Sequence, residues 1–175
     1  MFELDVYLDS KREQINAYLD QCLQDTSGSS RLVAAMRYSL MAGGKRLRPL
    51  LCLAGAEAVG GQPDDLISTA CALEMIHTYS LIHDDLPAMD NDSMRRGKPT
   101  CHMAFNEATA ILAGDALLTM AFQTLSSVEH VDNHRALKWI GVINRISRAA
   151  GYQGMIEGQM RDIDAESAFL DGDAL

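Results

Sequence analysis

The sequence predicts an all-α protein, a bundle of long helices, and three observations carry that prediction. Apolar residues recur at helical intervals along the chain, and the breaks between them fall at glycine, proline and small polar residues. No stretch alternates apolar and polar residues over a useful strand length. One segment, Leu66–Ile82, is apolar on nearly all sides, which marks a central helix surrounded by others. With 175 residues, 47% hydrophobic and 22% charged, the chain has enough material for one domain with a real core.

The elements follow in order. From Phe2 to Leu23, Leu4, Leu8, Ile15, Tyr18, Leu19 and Cys22 fall at helical intervals with acids opposite. Thr26-Ser-Gly-Ser-Ser30 is a linker with capping residues, and a second helix is expected over Arg31–Met41. Gly43-Gly44 ends it, and Pro49 suits the first turn of a third helix over Leu50–Val59. After Gly60-Gly-Gln-Pro63, Asp64 is expected to cap the long fourth helix, which reaches Asp85. Pro87 forbids a regular continuation. Thr100–Phe105 leads into a fifth helix over Asn106–Leu125, and a sixth follows Asp132. Gly151, Gly154 and Gly158 lie near its junction with a seventh and are expected to form a side-chain-free stripe, with Gln159 and Asp162 on one face.

Composition removes several function classes. A net charge of −9 argues against a nucleic-acid partner, whose phosphates need a basic face. Six of the fifteen Lys and Arg residues nevertheless cluster within Lys45–Arg48 and Arg95–Lys98, and a basic pocket on an acidic protein suits a small anion. The four cysteines form no Cys-x-x-Cys pair, which fits reduced thiols better than zinc or a disulfide frame. The start, Met1-Phe-Glu-Leu-Asp-Val-Tyr7, lacks a basic and then apolar leader, and charged residues or Gly interrupt the apolar runs. The expectation is a soluble, cytoplasmic protein with no membrane span.

The chemistry concentrates where the fourth helix ends, in Leu81-Ile-His-Asp-Asp-Leu-Pro-Ala-Met-Asp90. Carboxylates cost several kcal/mol each, roughly, to take out of water unless paired or bound to metal. On a regular helix Asp84 and Asp90 would diverge by about 240°. Pro87 releases that constraint, so that the chain can swing Asp90 back toward Asp84. Oxygen ligands of this kind suit Mg²⁺, with Asp84, Asp85 and Asp90 as the expected set. A solvated acidic loop is the plainer alternative, but a double Asp at the end of a buried helix favours metal. Gly43-Gly-Lys-Arg lacks the spacing and hydroxyl residue of a nucleotide P-loop, yet Lys45 and Arg48 beside a helix start can hold diphosphate. His77 stands two turns before Asp84 and can donate into the same cavity, although a lone histidine on such a helix is more often core. Tyr79 and Ser80, about one turn below Asp84, are expected to line the cavity floor. His83 receives no role.

Taken together, Gly43-Gly-Lys-Arg-Leu-Arg-Pro49, Glu74-Met-Ile-His-Thr-Tyr-Ser-Leu-Ile-His-Asp-Asp-Leu-Pro-Ala-Met-Asp90, Arg95-Arg-Gly-Lys-Pro-Thr100, Leu112-Ala-Gly-Asp-Ala-Leu117 and Gly158-Gln159 resemble the trans-prenyltransferases that make short-chain polyprenyl diphosphates. The bacterial farnesyl diphosphate synthases, with the same two extra residues in the first aspartate-rich motif, are the nearest in pattern. The resemblance implies an isoprenoid-synthase helix bundle. It further implies Mg²⁺-dependent condensation of isopentenyl diphosphate with dimethylallyl or geranyl diphosphate to give farnesyl diphosphate. By position, Asp84, Asp85 and Asp90 match the motif holding Mg²⁺ against the allylic diphosphate. Lys45, Arg48, His77 and Arg96 match groups holding isopentenyl diphosphate, and Arg95 one holding the allylic diphosphate. Tyr79 matches the bulky position that stops chain growth, favouring a C15 over a C20 product.

In that family a Lys-Thr motif and a second aspartate-rich motif lie further along. Residues 1–175 are therefore expected to be the N-terminal part of a single synthase domain, inactive alone, and homodimeric in the full-length protein. The competing readings are a geranylgeranyl diphosphate synthase, a non-catalytic helical subunit that binds isoprenoid diphosphate or pairs with a full-length synthase, and another Mg²⁺-dependent isoprenoid enzyme such as a terpene cyclase. The two basic motifs argue against the last.

Overall fold

A computed structural model describes residues 3–24, 30–127 and 133–166 of the chain. Two compact units divide the chain, Met1–Ser127 and Val128–Leu175. The architecture is all-α, as the periodicity predicts. In the first unit the order is α1 (Leu4–Cys22), α2 (Arg31–Leu40), α3 (Leu47–Ala58), a 3₁₀ turn (Pro63–Leu66), α4 (Ile67–Asp84), a hairpin of β1 (Met94–Arg95) and β2 (Lys98–Pro99), α5 (Cys101–Ala104) and α6 (Glu107–Ser126). The second unit contains α7 (Asn133–Ala150) and α8 (Met155–Glu166), which pack on each other.

The first unit is organised around α4. Eleven of its eighteen residues are buried, because α1, α2, α3 and α6 all pack against it. From α1 and the residue that ends it, Ile15, Leu19 and Leu23 present one stripe to the core at a spacing of four. From α6, Ala110, Ala113, Gly114, Leu117, Ala121 and Leu125 are buried, and the small residues among them let α4 and α6 approach closely. By length and composition α6 is the one helix among the described residues apolar enough to cross a bilayer, and this stripe is spent instead on the unit's own core.

Local chemistry explains the helix boundaries. The Ser30 hydroxyl accepts from the amides of Leu32 and Val33 and caps α2 as expected, while the rest of the predicted linker, Thr26–Ser29, lies outside the described residues. Helix α3 starts at Leu47 rather than Leu50, so Pro49 is its third residue. Proline is tolerated there because first-turn amides have no helical acceptor to lose. The N-cap position of α4 falls to Leu66 rather than Asp64, which lies within the 3₁₀ turn that Pro63 initiates, and α4 begins at Ile67. The hairpin is an element that periodicity does not find, since each strand is only two residues long. Its loop is Arg96-Gly97, both with positive φ (54° and 75°), the type I′ geometry that matches strand twist. The expected glycine stripe does not exist as such. Gly151 and Gly154 lie in the turn between α7 and α8, where a Cβ on either would meet the backbone of α7, and only Gly158 belongs to a helix.

Candidate functional site

Basic groups from three distant segments converge on one face of α4. A cavity of about 470 Å³ is lined by Gly44, Lys45, Arg46, Leu47 and Arg48 of the basic turn, by Glu74 and His77 of α4, and by Arg96 of the hairpin. The four residues that sequence assigns to isopentenyl diphosphate are thus brought together. The amino end of α3 opens into the same space, adding amides without helical acceptors. His77 is half-buried, and burial together with the Arg48 guanidinium holds its imidazole below the ordinary histidine range. The neutral form therefore prevails at neutral pH. Arg96 donates to the Gly43 carbonyl, and its guanidinium lies so close over Gly44 that a Cβ there would overlap it. Glycine at 44 suits the backbone turn, at φ 118°, and leaves room for the guanidinium to lie this close.

Arg46 behaves unlike its neighbours. Its side chain turns inward, where Nη1 donates to Glu74 Oε1 at 2.8 Å, Nε to Asn16 Oδ1 at 3.0 Å and Nη2 to the Leu40 carbonyl at 2.8 Å. The basic turn therefore contributes two cations to the cavity and one to the core. Sequence reasoning missed both members of this pair. The signal was available: Glu74 is an acid on an otherwise apolar face, and a carboxylate there demands a cation.

At the other end of α4 the chain does return as Pro87 suggested. The Asp90 amide donates to the Asp84 carbonyl at 2.9 Å, and Asn91, at φ 53°, closes the turn with its amide on Leu86. This brings the backbones of Asp84 and Asp90 together, whereas the Asp85 side chain is engaged by Arg95. Asp85 is buried and forms a two-toothed ion pair with Arg95, from Nε to Oδ1 and Oδ2 at 2.8 and 3.1 Å and from Nη2 to Oδ1 at 2.7 Å. The pair occupies both residues, so the expected third metal ligand and the expected allylic-diphosphate arginine hold each other. Among the described residues no three His, Cys, Asp or Glu side chains gather to hold an ion alone. Two carboxylates with water and phosphate oxygens completing the shell remain a donor set that suits Mg²⁺.

The hairpin that carries Arg95 and Arg96 is held from both ends. Thr100 donates its hydroxyl to the Asp92 carbonyl at 2.8 Å, and the Tyr38 hydroxyl donates to the Pro99 carbonyl at 2.7 Å. Also on α4, Tyr79 is buried, edge-on to the His83 ring with centroids 5.8 Å apart. Burial, with Asp84 nearby, pushes the phenol up from its ordinary range. Ser80 is buried and donates to the His77 carbonyl at 2.9 Å, so its hydroxyl is used within the helix. His83, which has no role in the sequence reading, bridges helices through Nε2 and the Ile111 carbonyl at 3.1 Å, and a Cβ at Gly114 would overlap its ring.

The polyprenyl synthetase family model matches residues 29–171. The chain is 46% identical over 167 residues to a farnesyl diphosphate synthase of Geobacillus stearothermophilus, covering 95% of this chain and 56% of that protein. It is equally similar, 46% over 169 residues, to the heterodimeric geranylgeranyl pyrophosphate synthase large subunit 1, chloroplastic, of Arabidopsis thaliana, covering 97% of this chain and 45% of that protein. Among solved structures, an FPP/GFPP synthase from Zymomonas mobilis in its apo form superposes with a TM-score of 0.88 at 41% identity, covering 95% of this chain and 60% of that one. The chain spans about half the length of the curated relatives it matches. A match to the family model over most of its length means that this chain belongs to the polyprenyl synthetase family.

Proposed function

We propose that residues 1–175 are the N-terminal part of a single polyprenyl synthase domain that condenses isopentenyl diphosphate with dimethylallyl or geranyl diphosphate to give farnesyl diphosphate. The observation that carries the reading is the cavity in which Lys45, Arg48, His77 and Arg96 converge from separate segments beside an open helix start. Three cations and a neutral imidazole that can take up a proton are suited to a diphosphate of several negative charges. Mg²⁺, held by Asp84 and Asp90, would neutralise the departing diphosphate and so favour ionisation of the allylic C–O bond. Asp85 holds Arg95 through Nε and Nη2, with Nη1 left outside the pair as a donor for the allylic diphosphate. The basic cavity holds the isopentenyl group so that its double bond supplies the electron pair to the allylic cation, and loss of a proton restores the alkene. The apolar flanks of α4 exclude water from that cation.

Tyr79 supports the C15 product, since its ring fills space one turn below Asp84. Relatives of equal identity that are named as geranylgeranyl synthases make C20 the second reading. The proposal includes a cytoplasmic, homodimeric full-length enzyme. Its test is product analysis with labelled isopentenyl diphosphate, geranyl diphosphate and Mg²⁺ on this chain and on the full-length gene product. A C15 product from the full-length form supports the reading, and C20 moves the second forward. No elongation from either form, with isopentenyl diphosphate still bound, would leave a non-catalytic binding partner.

A further inference from the structure

We propose that the Arg46–Glu74 ion pair positions Lys45 and Arg48 for diphosphate recognition, by fixing the left-handed turn from which α3 starts. The proposal rests on the reading that the basic cavity takes isopentenyl diphosphate. Arg46 is a non-glycine residue at φ 51°, a conformation that persists where surrounding contacts determine it. Those contacts are unusually complete. The guanidinium reaches α1 through Asn16, the end of α2 through the Leu40 carbonyl and the centre of α4 through Glu74. Its own carbonyl accepts the first amide bond of α3, from Leu50 at 3.0 Å. One side chain thereby fixes the turn against three helices, with Lys45 immediately before it and Arg48 two residues after.

Charge counting gives the same assignment. Arg46 and Glu74 are only 2% and 3% exposed at their side chains and cancel each other, so the pair adds no net attraction for an anion. A buried pair is also a poor source of net stability, since apolar replacements of similar volume are often as stable. What the pair supplies is geometry. It keeps a carboxylate that lines the cavity, one helical turn before His77, from facing the ligand unneutralised.

The test measures binding of isopentenyl diphosphate, and separately of geranyl diphosphate with Mg²⁺, by calorimetry alongside thermal melts. The variants are Arg46→Met/Glu74→Leu, Arg46→Lys and Lys45→Ala. The double variant removes both charges together and so avoids a bare buried carboxylate. It should stay folded and bind isopentenyl diphosphate about tenfold more weakly, with geranyl diphosphate changed by less than about threefold. A folded double variant that binds isopentenyl diphosphate like the parent overturns the proposal, as does equal weakening of both ligands. Should the double variant not fold, Arg46→Lys decides. It keeps the charge but cannot reach Asn16, Leu40 and Glu74 at once, so unchanged binding overturns the proposal and selective weakening supports it. Lys45→Ala separates the two levels of inference. If it leaves isopentenyl diphosphate binding intact, the reading of the cavity fails. If it weakens binding while the pair variants do not, only the positioning role fails.

Discussion

Two arginine–carboxylate pairs are anchored on α4 about three turns apart, and they differ in almost everything except distance. Arg46–Glu74 closes at 2.8 Å with both side chains essentially dry. Arg95–Asp85 closes at 2.7 Å, but Asp85 is 4% exposed while Arg95 remains 32% exposed. The first joins three helices and is almost wholly removed from solvent. The second joins a helix end to a two-residue-strand hairpin, and its arginine keeps one face toward solvent. Equal bond lengths therefore describe unequal interactions: the surroundings decide whether an ion pair is part of the frame or part of the working surface.

The largest effect should come from breaking the dry pair on one side only. Arg46→Ala strands Glu74 in the core and should cost about 3–5 kcal/mol in urea unfolding. Arg95→Ala exposes Asp85 at a site that water can reach, and about 1–2 kcal/mol is expected. If the two losses are equal, the contrast between frame and surface is wrong. Salt sharpens the comparison. Raising NaCl to about 0.5 M should shrink the cost of Arg95→Ala and leave that of Arg46→Ala nearly unchanged, because screening acts on the exposed partner.

The smallest effect concerns His77. Its folded imidazole is held below the unfolded value of about 6.5, so the unfolded chain takes up the proton first as pH falls. Above that pH both states are neutral and the residue contributes no pH dependence. Below it stability is lost progressively, and the loss levels off once the folded imidazole also protonates. His77→Asn should flatten this part of the profile, checked by melts as the pH is lowered through about 6.5 and below it. Isopentenyl diphosphate should reverse the sign locally, since its charge favours the protonated ring. Binding near pH 6.5 would then take up protons, visible as calorimetric heats that depend on the buffer.

Much of this was legible in the sequence, and the reasons are specific. The helices that carry the core announce themselves by period and by Ser30, Gly43-Gly44 and Pro87, whose effects are local. The convergence of Lys45, Arg48, His77 and Arg96 followed from residue type and motif, because a cation cluster on an acidic chain needs a common ligand. The identity of each cation's partner was not legible. Arg46 sits among exposed neighbours in the sequence, and only the packing of α1 and α2 against α4 turns it inward. Asp85 looked like a ligand because adjacent aspartates share a motif, yet adjacent helix residues point about 100° apart, and that angle delivers Asp85 to Arg95. The hairpin escaped because two residues per strand carry no alternation, although Arg96-Gly97 was a turn signal.

The bond from Arg96 to the Gly43 carbonyl joins segments more than fifty residues apart, and it bears on how binding at the cavity would be measured. That carbonyl is an acceptor built into the protein, occupying a donor that an anion would otherwise take. An anion that recruits this donor must displace the carbonyl, so affinity would report a difference between two bonds rather than the strength of one. A weak dissociation constant at this cavity would thus be compatible with strong contacts. The same bond latches the basic turn to the hairpin, and an anion that took this particular N–H would release that latch.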